Sequence, residues 1–334
     1  MNGSEKLRVA VDALGGDGRL ARNLAAIRFA LEADAELQVL ACGPAAEIAP
    51  IRDAWPQALR DRLVVCNAEV GLAADAGPGQ ALRRGRESSM GEALRSVVDH
   101  AADAVVSGGS TGALMVLARH LLGTWPGVDR PALMGALPTG RGSCWMLDMG
   151  ANLQVDARRL HEFARLGRIA VSLLNGREPV IGLLNVGTEP GKGPDLVREA
   201  GRLISGDEDL DYGGFVEADQ VFAGQVDLVV CDGFSGNILL KSAEGAVALM
   251  FEQMRNLLGG SLCGWLAKPR LSRLRDSLDP ARHNGAALLG VRGVVIKSHG
   301  GASMEGVAHA IALAAREARG GLSQAMESQF RAVD

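Results

Sequence analysis

The chain has 334 residues, 47% hydrophobic and 22% charged, enough to bury one large α/β core or two lobes. A formal net charge of -4 and an aromatic content of 4% argue against a nucleic-acid surface, which needs a basic field and stacking rings. Five scattered cysteines form no C-x-x-C pair, the N-terminus lacks an apolar signal core, and no stretch reaches the roughly 18 apolar residues of a membrane span, so the expectation is a soluble cytoplasmic protein.

Short apolar runs alternate with helical patterns along the chain. LRVAVDA (7–13) reads as a strand and LARNLAAIRFALEA (20–33) as a helix, and ELQVLACG (36–43) and RLVVCNA (62–68) are two more strands. SSMGEALRSVVDHAA (88–102) has helical spacing, with Ser88 or Ser89 as its cap. DAVVSGG (103–109) is a strand leading into the helix TGALMVLARHLL. PALMGALP, SCWMLDMG, PVIGLLNVG and QVDLVVCDG read as buried strands, and 155–176 as a long amphipathic helix. This alternation predicts an α/β fold with a doubly wound, mostly parallel sheet, in one two-lobed unit spanning 1–334.

Residues 250–280 break the rhythm. They carry no strand pattern and read as two helices joined by the apolar tip GGSLCGWLAKP, a hairpin within 243–283. Six basic residues (Arg255, Lys268, Arg270, Arg273, Arg275 and Arg282) stand against Asp276 and Asp279, a local +4 in an acidic protein. Such a hairpin suits a dimer contact with a solvated basic face, or the docking of an acidic partner or an anionic membrane surface. Leu262, Trp265 and Leu266 mark its tip, with Lys268, Arg270 and Arg273 beside them.

Five strand ends share one chemical character: VDALGGD (11–17), VSGGSTGAL (106–114), LDMGAN (147–152), LNVGTEPGKG (184–193) and CDGFSGN (231–237). IKSHGGAS (296–303) is a sixth stretch of the same kind. On one parallel sheet such ends are expected to converge on a single edge, where doubly wound proteins build their cleft. No G-x-G-x-x-G, P-loop or metal-ligand spacing accompanies them, so neither a cofactor nor a metal is expected. What remains is a cleft rich in backbone N–H groups around Gly15, Gly16 and Gly236. Hydroxyls come from Ser107, Ser110, Thr111 and Ser235, amides from Asn152, Asn185 and Asn237, and cations from Lys192 and Lys241. Two helix N-termini, after Ser110 and around Ser235, offer a small oxyanion aligned donors. Asp12, Asp17, Asp148 and Asp232 either orient the lysines or cap turns, and His299 is a proton donor or a turn residue.

The ordered set SGGSTGAL, DMGAN, NVGTEPGKG, VCDGFSGNILLKSAEG and GAALLGVRGVVIKSHGGAS resembles the phosphate acyltransferases of bacterial phospholipid synthesis, over nearly the whole chain. The resemblance implies a three-layer fold like that of isocitrate dehydrogenases and phosphotransacetylases, with a protruding helical hairpin and a homodimeric assembly. It implies transfer of a fatty acyl group from acyl carrier protein to inorganic phosphate, and a peripheral membrane position from which acyl phosphate passes to a membrane glycerol-3-phosphate acyltransferase. Ser110 stands where the family usually has Asn, and Thr188 where it has Glu. Under this reading Lys192, Asn237, Lys241 and His299 are the catalytic candidates, and the other strand-end residues bind phosphate and thioester. A short-chain phosphotransacetylase acting on acyl-CoA and a catalytically silent membrane scaffold are the alternatives.

Overall fold

The computed structural model describes residues 6–17, 20–73, 76–258, 270, 271, 274 and 284–331. Strands β1 (Arg8–Asp12), β2 (Gln38–Gly43), β3 (Leu63–Asn67) and β4 (Ala104–Ser107) come first. They are interleaved with, and followed by, helices α1 (Leu20–Ala33), α2 (Ala45–Asp53), α3 (Gln57–Arg60), α4 (Pro78–Arg84), α5 (Ser89–Val98) and α6 (Thr111–Leu121). The hairpin β5 (Ala132–Thr139) and β6 (Gly142–Leu147) follows, then α7 (Ala157–Asn175), β7 (Ile181–Leu184), α8 (Asp195–Ser205), β8 (Tyr212–Val216), α9 (Ala218–Ala223), β9 (Leu228–Val230) and α10 (Gly233–Leu258). β10 (Ala286–Leu289) and β11 (Val294–Lys297) return to the sheet before helices Met304–Arg319 and Leu322–Gln329.

All these strands belong to one 11-stranded sheet in the order β3-β2-β1-β4-β11-β10-β5-β6-β9-β7-β8. Most neighbours are parallel, as the alternating pattern predicts, and both faces are covered by helices. One face carries the largest apolar cluster, under α1, α7 and Met304–Arg319. The other carries two smaller clusters, one under α5 and α6 and one under α9 and the start of α10. Leu133 belongs to the first of these and Leu137 to the second. Four residues apart on β5, they point to the same side of the sheet, so α6 and α10 share a face.

Three junctions are antiparallel: β11 with β10, β10 with β5, and β5 with β6. Three successive reversals turn β6, β9, β7 and β8 opposite to β1, β2, β3, β4 and β11. The carboxyl ends of β1, β4 and β11 therefore lie at one edge, and those of β6, β7 and β9 at the other. This corrects the expectation that all the strand-end loops meet at a single edge.

Other differences from the sequence reading have local causes. YGGFV of β8 is interrupted by two glycines, and AALL of β10 is made of helix formers, so neither carries a strand signature. Asp-Gly-Phe-Ser-Gly-Asn is no loop, because α10 already starts at Gly233. Of the hairpin, α10 is described as far as Leu258 and Arg270 is an exposed helical residue; Leu262, Trp265, Leu266, Lys268 and Arg273 lie outside the described residues.

Helix α7 shows how the layers lock. Asp156 caps it by accepting from the Arg159 N–H at 2.8 Å, and Gly176 ends it in the left-handed conformation at φ 69°. Its apolar face buries Phe163 completely and lies against β6 and β9, which carry two of the six loops of interest. Gly167 permits the approach, since a Cβ there would stand 2.5 Å from Leu228 Cδ2. Phe163→Ala is expected to cost about 3–5 kcal/mol, read as a lower urea midpoint at unchanged slope.

Candidate active site

The loops form two groups. The first is built by β1, β4 and β11, which are adjacent and parallel. Asp12 ends β1 and is 3% exposed, its carboxylate accepting from Ser89 Oγ at 2.5 Å and Ser107 Oγ at 2.6 Å. Burial raises its pKa, and the two hydroxyl bonds hold it back. Ser107, the last residue of β4, also accepts from the Gly109 N–H at 3.1 Å.

The turns after these strands touch through glycine. A Cβ on Gly15 would lie 2.4 Å from Asp12 Oδ2, and Gly16 combines φ 89° with a carbonyl of Gly300 only 2.8 Å from any Cβ. The Asp17 N–H donates to the Gly300 carbonyl at 2.9 Å, while the Asp17 side chain is exposed. Ser110 precedes α6 and its side chain makes no cap bond. Thr111 starts the helix, and Gly112 looks onto open space. The first-turn N–H groups of α6 lack intrahelical acceptors and point their partial positive charge outward.

Lys297 completes this group. It ends β11, is 9% exposed, and its Nζ lies 3.5 Å from the Gly108 carbonyl and donates to the Ser298 carbonyl. Desolvation draws its pKa down to about 8, against the pull of Asp12 and Asp17. The sequence reading passed over it, although a lysine closing an otherwise apolar VVIK strand next to SHGGAS was a usable signal. His299 is exposed, and its Nδ1 accepts from the Gly301 N–H at 3.1 Å. That bond leaves the hydrogen of a neutral imidazole on Nε2.

The second group follows β6, β9 and β7. Asp148 is fully buried: Oδ1 accepts from the N–H groups of Leu133, Gly150 and Ala151, and Oδ2 from the Asn152 N–H at 2.6 Å and Nδ2 at 2.9 Å. Asn152 Nδ2 also donates to the Pro131 carbonyl at 2.9 Å, and its Oδ1 is buried without a partner among the described residues. The Gly233 N–H donates to the Asn152 carbonyl at 2.8 Å, tying the start of α10 to this loop.

Asp232 caps α10, accepting from the Ser235 N–H at 2.9 Å and Ser235 Oγ at 2.7 Å. The Gly236 N–H already donates to the Asp232 carbonyl at 2.9 Å. Gly236 is therefore a close-packing position, where a Cβ would lie 2.0 Å from the Asp148 carbonyl oxygen, and no free donor. Asn237 lies over Gly150, and Lys241 makes a half-exposed ion pair with Glu244 at 2.7 Å. After β7, Asn185 Nδ2 donates to the Lys192 carbonyl at 3.1 Å, pinning the loop whose Lys192 is exposed.

The two groups start at opposite edges and approach over the face shared by α6 and α10. Met149 and Ala151 of the second group pack on the apolar cluster that holds Ala113 and Leu114 of α6. The first group can hold an anion on helix-terminal N–H groups beside a desolvated lysine. The second adds Asn237 and Lys241 on the first turns of α10 and Lys192 on the loop after β7.

In fold the chain is similar to phosphotransacetylases. EutD phosphotransacetylase from Staphylococcus aureus matches with a TM-score of 0.61 at 17% identity over 95% of each chain. A phosphotransacetylase from Streptococcus pyogenes matches at 0.62 and 19% identity, again over 95% of each. The protein is thus an α/β protein of the phosphotransacetylase fold. The profile of the family described as fatty acid synthesis protein matches residues 7–325. A phosphate acyltransferase from Pseudomonas syringae pv. syringae (strain B728a) is 43% identical over 330 residues, covering 97% of both chains. Another from Saccharophagus degradans is 40% identical over 336 residues, 99% of this chain and 97% of that one. The chain belongs to this family, that of the phosphate acyltransferases.

The burial of Lys297 has a measurable consequence. Unfolded, it has an ordinary lysine pKa near ~10.4; folded, the value is about 8. Between these values the unfolded chain binds more protons, so this residue makes stability rise with pH over that window. Wild type is therefore expected to gain about 2 kcal/mol on Lys297→Met between pH 8 and pH 10 in urea titrations. A pH-independent difference would mean that the lysine is not desolvated.

Proposed function

We propose that the chain transfers a fatty acyl group from an acyl carrier protein thioester to inorganic phosphate, giving acyl phosphate for phospholipid synthesis. The observation that carries this reading is full-length membership of the phosphate acyltransferase family at 40–43% identity. A phosphate dianion needs no protein nucleophile. Its oxygen attacks the thioester carbonyl, a tetrahedral oxyanion forms, and the C–S bond breaks as the pantetheine thiolate leaves. The enzyme's work is then to hold two anionic groups together and stabilise the oxyanion with fixed dipoles and cations.

In this reading the N-terminus of α6, Ser110, Thr111 and Lys297 hold phosphate, with Asp12 fixing the two serines behind them. Asn237, Lys192 and Lys241 serve the thioester and the oxyanion, and the Nε2–H of His299 meets the departing sulfur. Gly15, Gly16, Asp17, Ser107, Asn152, Asn185, Asp232, Ser235 and Gly236 keep these segments in place. Among the described residues no helix is long and apolar enough to cross a membrane. Exposed Phe234, Leu249 and Leu257 on α10 support a contact with a second copy of the chain and with the membrane surface, where acyl phosphate passes to a glycerol-3-phosphate acyltransferase. Exposed Arg255 and Arg270 support steering of the acidic carrier protein.

The deciding assay follows acyl phosphate from long-chain acyl carrier protein plus inorganic phosphate, with acyl-CoA in parallel. Product is expected to depend on phosphate and to favour the carrier-protein thioester; none from either donor would sink the reading. Asn237→Ala and Lys192→Ala should each lower kcat by about 10²–10³ without unfolding the protein, the scale of one lost oxyanion donor. Full activity in both would remove them from the site. Charge reversal at Arg270 together with Arg273 should raise KM for the carrier protein and leave KM for phosphate unchanged.

A further inference from the structure

Cys42 and Cys66 have no part in that reaction, yet they are placed together. Cys42 pairs in register with Cys66 across β2 and β3, and with Asp12 across β2 and β1. Paired residues on neighbouring strands present their side chains to the same face, so Asp12, Cys42 and Cys66 form a row under α5. Neighbouring strands lie about 4.8 Å apart, within the ~4.4–6.8 Å between Cα atoms that a disulfide spans.

The two thiols differ in the way a reactive pair requires. Cys42 is fully buried in the cluster of Met90 and Leu94. Cys66 is half-buried on β3, the outermost strand, and reachable from solvent. The Cys42 Sγ lies 4.0 Å from the Leu40 carbonyl, and the register sets it beside Cys66. The neighbouring Cys42 thiol lowers the Cys66 pKa, against burial and Glu92 and with help from Arg95. The same proximity, with burial, pushes the Cys42 thiol up. A low-pKa, accessible thiolate next to a resolving cysteine is the arrangement that peroxides oxidise selectively.

We propose that Cys66 and Cys42 are a peroxide-reactive pair that closes into a disulfide between β2 and β3, one strand from Asp12. The Cys66 thiolate attacks one oxygen of hydrogen peroxide; an S–O bond forms, the O–O bond breaks, and the departing hydroxide takes up a proton to become water. The Cys42 sulfur then attacks the Cys66 sulfenic sulfur. The S–S bond forms, the S–O bond breaks, and the hydroxide leaves as water with the Cys42 proton. Two thiols are oxidised and one peroxide is reduced to two waters. The Cys42 carbonyl accepts from the Ala13 N–H at 2.9 Å, so the bridge is tied directly to the turn that carries Gly15 and Gly16.

The test treats the full-length protein with stoichiometric hydrogen peroxide and maps its peptides under non-reducing conditions. The expected product has lost ~2 Da, contains the Cys42–Cys66 cross-linked peptide, and returns to the starting mass with dithiothreitol. In Cys42→Ser the reaction should stop at a Cys66 sulfenic acid that dimedone traps, and in Cys66→Ser neither residue 42 nor residue 66 should be modified. An unmodified pair, a Cys66 sulfinic acid without the cross-link, or a cross-link elsewhere as the main product would overturn the proposal.

Discussion

The arrangement of the molecule follows from the three antiparallel pairings at the centre of its sheet. A parallel sheet built throughout from right-handed βα units sends every loop after a strand to the same edge. Here β10, β5 and β6 reverse direction in turn, and the strands beyond them run the other way. The chain thus carries two sets of glycine-rich and polar strand-end loops on one continuous sheet. Only a face can bring them together, and β10 and β5 lie between β11, which α6 contacts, and β6, which α10 contacts. Met149, rooted in the second set and packed beneath the first, occupies that strip.

Within the first set, burial and charge oppose each other at short range. A lone charge removed from water costs several kcal/mol, so buried carboxylates and ammonium groups need partners. Asp12 has two hydroxyl donors, and Lys297 has backbone carbonyls plus the field of Asp12 and Asp17. Neither is neutralised by a direct ion pair with the other. In the proposed reaction, an anion on the N-terminus of α6 would add negative charge near Lys297 and favour its protonated form, the kind of preorganisation a dianionic nucleophile requires.

Much of this was legible in the sequence, and what was not has physical reasons. The strands LRVAVDA, ELQVLACG and DAVVSGG and the helices 20–33 and 155–176 carry strong periodicity, and the residue order SGGSTGAL to KSHGGAS sufficed for the family. Strand direction leaves no mark on composition, since a buried strand reads alike up or down. The reversal at β10 was hidden further, because AALL favours a helix in isolation and takes a strand conformation only between β11 and β5. The roles of Gly236 and Ser235 were also beyond reach: both read as open donors until the helix is seen to start at Gly233 and to use them. Lys297 is the converse case, a residue whose importance comes from being buried, which a single charged letter at a strand end conceals.

Helix α10 connects these local matters to the surroundings of the protein. Its 26 residues extend for roughly 39 Å at ~1.5 Å per residue. Only Gly233 and Gly236 are buried, both at its root, while Leu257 near the far end is 79% exposed. Apolar surface left in water forgoes about 25 cal/mol per Å², so a helix of this composition is made to be covered. Its root is the segment that packs on Asp148 and carries Asn237 and Lys241. An α-helix is stiff over such a length, so whatever covers the distal turns is mechanically continuous with the first turns that carry Asn237 and Lys241. In the proposed reading assembly and catalysis are joined through this one element, whose first turn is fastened by glycine contacts and an aspartate cap.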